Sequence, residues 1–239
     1  MNKDLNELVE KLKQASGSNL RSVVLYGSAA SGEFHPEHSD LNVLCVLARL
    51  DAGEIEKLNP AAVWWARKGH PAPMLFTLEE LHNSADVFAI ELLDMQASHR
   101  VLHGEDLLAG LHVPVSLHRQ QVEHDLRTNL IRLRQAYLMA PRDLKSLLGL
   151  MTASVSTFGA LFRHALIALG EPSVRSKREA IDRLAKLLTF DASGFHAILD
   201  VREGKLTEHH VDVPATFRSY LAAVTRVTEE VDRRLAVVR

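Results

Sequence analysis

The sequence predicts an α/β domain over residues 1–113 followed by an all-α helical bundle over residues 114–239. Three observations carry that reading. Short apolar runs of strand length alternate with helix-period segments in the first half. Near Pro114 the pattern changes to long helices, and the stretch Ser146–Phe162 carries no charge, as suits the buried centre of a bundle.

Taken in order, Leu5, Leu8, Val9 and Leu12 recur at helical spacing across residues 3–15, and Gly17 ends that helix. A strand follows at Arg21–Tyr26, then a polar loop Ala29–Ser39 holding Gly32, Pro36, His35 and His38, then a strand at Leu41–Leu47. Asn59-Pro60 reads as a helix start and Gly69 as its stop, because Asn caps, Pro suits the first helical position and Gly the exit. Trp64 and Trp65 lie within this helix and cannot share one face, so one of them belongs to the core. Pro73–Thr77 reads as a short strand and Leu78–Asn83 as a helix. Val87–Gly104 is open: Val87–Ile90 looks β-like, and Arg100-Val101-Leu102 follows.

In the second half, Ser116 caps a helix carrying Val122, Leu126, Leu130, Leu133 and Tyr137 at three- and four-residue steps. Pro141 opens a second helix that Gly170 and Pro172 close. Ser176-Lys177-Arg178-Glu179 fits a capping box, Asp191–Arg202 makes a fourth helix, and a fifth runs from Pro214.

A chain of 239 residues has ample material for a core, and 46% apolar with 24% charged residues is ordinary for a globular protein. The net charge of −2 argues against a broad surface for polymeric nucleic acid, so a nucleotide would be a small ligand. The single cysteine, Cys45, sits in an apolar strand run and reads as a core residue. The first residues contain no apolar signal core, and the uncharged stretch is shorter than a span of about 20 residues. The expected setting is therefore cytoplasmic, with no membrane partner.

The informative motif is Val23-Val24-Leu25-Tyr26-Gly27-Ser28 followed by Ser39-Asp40-Leu41-Asn42-Val43-Leu44. A Gly-Ser turn after a strand lets the backbone approach phosphates closely, and a helical turn at Ala29-Ala30-Ser31 would aim free N–H groups at the same anion. Asp40 offers a hard oxygen to Mg²⁺, which favours carboxylates together with substrate phosphates. Strand alternation puts Asp40 and Asn42 on one face.

This motif resembles the signature of the nucleotidyltransferase superfamily related to DNA polymerase β, in which Gly-Ser precedes an Asp-x-Asp strand. The departure is Asn42, where that family carries its second acid. The resemblance implies a mixed sheet with flanking helices, a nucleoside triphosphate and Mg²⁺. It also implies transfer of a nucleoside monophosphate to a hydroxyl of a small molecule or protein. Gly27, Ser28 and Ser39 would hold nucleotide, Asp40 and Asn42 would ligate metal, and Asp40 would be catalytic together with a third carboxylate. For that third acid two registers stay open. The strand Met74–Thr77 has no acid; a strand at Val87–Asp94 would offer Glu91 or Asp94, facing opposite sides.

The alternative reading is a catalytically degenerate member that binds nucleotide as a regulator or partner-binding module. By order and size the helical half is similar to that of the kanamycin and streptomycin nucleotidyltransferases, and the resemblance allows a homodimer. No motif there names an acceptor. Arg119 or Arg127 could touch phosphates with Glu123 as base, or Glu123 and Arg127 could form an ordinary (i, i+4) ion pair, and among the thirteen histidines His35 and His38 are candidates for phosphate contact.

Overall fold

The structure, a computed structural model, describes residues 2–31, 40–140 and 143–236. The chain divides into two compact units, Met1–Pro114 and Val115–Arg239.

The first unit is a four-stranded mixed sheet with helices on both faces. Its strands are β1 (Leu20–Tyr26), β2 (Asn42–Leu47), β3 (Met74–Thr77) and β4 (His99–Gly104), in the order β3-β2-β1-β4. β1 runs antiparallel to both β2 and β4, and β3 is parallel to β2. Alternation along the central strands splits the core in two. Val23, Leu25, Val43, Cys45 and Leu47 pack against α1 (Asn2–Ser16) and α3 (Ala52–Ala66), while the short helix α2 (Ser28–Ser31) follows β1. Val24, Leu44 and Val46 face the other way, against α4 (Leu78–Asn83), α5 (Ala89–Ala97) and Leu108, Leu111 and Val113. Burial pushes the Cys45 thiol up to about 12, which keeps it an inert core side chain.

Two sequence expectations need correction here. α3 begins at Ala52, not at Asn59-Pro60: the Asp51 carboxylate accepts from the Glu54 N–H at 3.0 Å and starts the helix earlier. Pro60 then lies within the helix, on its exposed side. The Gly69 stop is as read, with φ +88. Of the tryptophans, Trp65 is fully buried; Trp64 is partly buried, with the Lys11 and Lys68 ammonium groups 5.0 and 5.5 Å from its ring centre.

The second correction concerns Val87–Asp94, which is not a strand. Ala89, Ile90, Leu92 and Met95 are buried at helical spacing in α5, and the third strand is the acid-free β3.

The second unit is helical: α6 (Val115–Met139), α7 (Leu144–Ala168), α8 (Lys177–Leu188), α9 (Ser193–Arg202) and α10 (Val213–Ala236). α7 is long and apolar enough to cross a membrane by length and composition. In this unit it packs against α6, α8, α9 and α10, with Met151, Val155, Phe158 and Phe162 buried. Asp143 caps it by accepting from the Ser146 N–H at 2.8 Å, and the expected Pro141 start lies outside the described residues. Ser176 occupies the N-cap of α8 but makes no side-chain capping bond, so the capping box is not formed. Arg127 pairs with Glu123 at 3.3 Å and with Asp232 of α10 at 3.1 Å, which ties it to carboxylates within the bundle.

Candidate active site

The end of the sheet where β1 finishes and β2 begins carries the polar residues of the motif. Tyr26 is paired with Asn42 on one side and with His99 on the other, so these three side chains leave the sheet on the same face. Burial raises the Tyr26 phenol, which therefore stays neutral at ordinary pH. The His99 ring nitrogens meet the Met95 carbonyl at 2.9 Å and both Asp106 carboxylate oxygens at 3.0 Å. The hydrogen bond from His99 holds the Asp106 carboxyl below its ordinary range, assisted by the Ala109 and Leu108 N–H groups. Neither Tyr26 nor His99 was singled out by the sequence, because their adjacency depends on the long-range register of β1 with β4.

Gly27 follows Tyr26 directly, with φ +78, a conformation that L side chains rarely adopt. Its carbonyl accepts from the Ala30 N–H at 2.9 Å, which closes the turn into α2. A Cβ built on Gly27 would lie 3.2 Å from Asn42 Nδ2, so the amide of Asn42 rests over the glycine. Leu41 is buried in the α1–α3 core, which by alternation leaves its neighbours Asp40 and Asn42 on the opposite side of the chain. Asp40 is exposed and Asn42 half-buried. The Ser28 side chain, Ser39, His35 and His38 lie outside the described residues.

Glu91 and Asp94 sit on α5, not on a strand. Three residues apart on a helix they share a face, where a strand would have opposed them. Glu91 is exposed and Asp94 half-buried. Asp94 lies toward the end of α5 from which the chain turns into His99, the partner of Tyr26.

Mg²⁺ binds through hard, preferably anionic oxygens. Leading into β2 beside the Gly27 turn, the chain offers the exposed carboxylate Asp40 and the neutral amide Asn42, and β3 supplies no acid. No group of three or more His, Cys, Asp or Glu that could hold a metal ion occurs among the described residues. This donor set fits a single cation carried in on a polyphosphate. It does not fit a pair of cations held by protein carboxylates.

Residues 5–94, within the first unit, match the family model of the nucleotidyltransferase domain. The fold extends further. Spectinomycin adenyltransferase AAD(9) from Enterococcus faecialis, solved with ATP and spectinomycin, superposes with a TM-score of 0.59 at 17% identity, over 95% of this chain and 99% of its own. A toxin–antitoxin structure with AMP-PNP overlaps with a TM-score of 0.30 at 19% identity, over 42% of this chain and 74% of that one. No curated protein matches the chain in sequence.

Proposed function

We propose that this protein transfers a nucleoside monophosphate from a nucleoside triphosphate to a hydroxyl of a small molecule or protein. The observation that supports the proposal is the register of Tyr26, the residue before the positive-φ Gly27 turn, on Asn42, two residues after the exposed Asp40, within the residues that match the nucleotidyltransferase domain.

In this reading the Gly27 backbone admits the triphosphate closely, with no side chain in the way. Asp40 would hold a nucleotide-borne Mg²⁺, which would neutralise phosphate charge and polarise the α-phosphorus. Asp94 or Glu91 accepts the proton of the acceptor hydroxyl. The hydroxyl oxygen bonds to the α-phosphorus, the bond from that phosphorus to the bridging oxygen breaks, and pyrophosphate leaves with the electron pair. Transfer of label from α-labelled ATP or another NTP tests this, with spectinomycin as the first acceptor offered and a panel of small hydroxyl compounds and proteins behind it. Label should move with wild type and fall by at least about a hundredfold in Asp40→Asn. Binding without transfer to any acceptor would exclude the enzyme.

A second reading is favoured by Asn42 and by the acid-free β3: a domain that binds nucleotide without turning it over, as a regulator or partner-binding module. The same assay separates the two, since nucleotide affinity without label transfer is its signature.

A further inference from the structure

We infer that Asn42 donates a hydrogen bond to the bound polyphosphate and is not a metal ligand, so that this site takes nucleoside triphosphates without needing a divalent cation for affinity. The inference rests on the nucleotide-binding reading above.

Three observations lead to it. The Asn42 Nδ2 lies over Gly27, 3.2 Å from where a Cβ would stand, beside the turn proposed above to admit the phosphates. Strand pairing holds it there, because Asn42 is registered on Tyr26, the residue before Gly27. The amide is half-buried, yet its side chain has no hydrogen-bond partner among the described residues, although an NH₂ group carries two donors. A half-buried donor aimed at an anion-accepting turn gains most when an anionic oxygen arrives.

Charge points the same way. A carboxylate over Gly27 would repel phosphate unless a cation stood between them, whereas an amide removes that repulsion and adds a donor. With Asn42 standing where a second acid would lie on the face shared with Asp40, affinity no longer depends on screening a pair of acids two residues apart. The cation then acts on the transfer step and contributes little to binding.

The test is calorimetric titration of the full chain with ATP, GTP, CTP and UTP, each in excess Mg²⁺ and again in EDTA. Asn42→Asp and Asn42→Ala are titrated alongside, with thermal melts to show that they fold. Wild type should bind its preferred nucleotide with affinities within about threefold in the two conditions. Asn42→Asp should lose about tenfold or more in EDTA and regain it with Mg²⁺, and Asn42→Ala should lose about tenfold in both. Wild-type binding that requires Mg²⁺, or an Asn42→Asp variant unaffected in EDTA, would overturn the inference while leaving the nucleotide site intact. The wild-type comparison decides the matter even if a variant fails to fold. Binding of no nucleotide in either condition would overturn the nucleotide reading itself.

Discussion

Gly27 is under two constraints at once, its own dihedral and the side chain resting on it. With φ +78, any Cβ is strained, and that Cβ would press on Asn42 Nδ2 at 3.2 Å. Gly27→Ala should therefore destabilise the protein by about 1–2 kcal/mol, from the left-handed conformation. It should also weaken nucleotide binding, because the displaced amide no longer covers the turn. A melt together with an ATP titration checks both; unchanged affinity in a destabilised variant would separate the turn from the ligand. Gly27, Asp40 and Asn42 were legible as a group, since a strand ending in Gly-Ser and a second strand led by an acid is a local pattern. The direction of the Asn42 amide was not legible, because it follows from the pairing of Asn42 with Tyr26 and from the bare Cα beside it. His99 was hidden for the same reason: its neighbours Tyr26 and Asp106 come from pairing and loop closure, which no short window contains.

Helix boundaries show what competes with local signals at the scale of an element. Asn59-Pro60 is a sound start signal by composition, yet Glu54, Leu58, Ala61 and Trp65 form one buried stripe that needs the helix to begin earlier. Asp51 provides the cap, and Pro60 is tolerated because it falls outside that stripe. Val87–Ile90 went the other way. Its β-branched and aromatic residues suggest a strand, but the Val24–Leu44 face of the sheet is covered only if Ala89, Leu92 and Met95 line up on a helix. Glu54, buried at the start of α3, also gives the element a pH dependence. Hydrogen bonds from Lys57 at 2.5 Å and Arg49 at 3.1 Å, with Asn19 at 2.9 Å, hold its carboxyl below the ordinary 4.5. A depressed carboxylate stabilises the fold above its unfolded value and loses that contribution as pH falls through the folded one. The melting temperature should accordingly drop on acidification below about pH 4.5. Glu54→Gln should melt lower than wild type at pH 7 and show a shallower drop; parallel curves for the two proteins would mean that Glu54 contributes no pH dependence.

Across the whole molecule, each unit closes its own core. In Val115–Arg239, Phe162 and Phe195 lie 4.9 Å apart, Phe195 stacks on Tyr220 at 4.2 Å, and Phe158 meets Tyr220 edge-on at 6.0 Å. The buried Tyr220 hydroxyl is satisfied by Ser154 Oγ at 2.9 Å, so this cluster contains no orphaned phenol. Helices α9 and α10 approach closely through Gly194, where a Cβ would strike the Thr216 carbonyl at 2.7 Å. An aromatic centre reached from α7, α9 and α10, with its polar atoms paired inside the unit, is what an independently folding bundle needs. The fragment 115–239 expressed alone should therefore show a helical far-ultraviolet spectrum and a single cooperative thermal transition. A fragment that melts gradually would mean that the aromatic cluster needs the first unit to hold it. The change of pattern near Pro114 made this unit legible as helical; its capacity to stand alone rests on the contacts among Phe158, Phe162, Phe195 and Tyr220, which helical periodicity in the separate segments does not disclose.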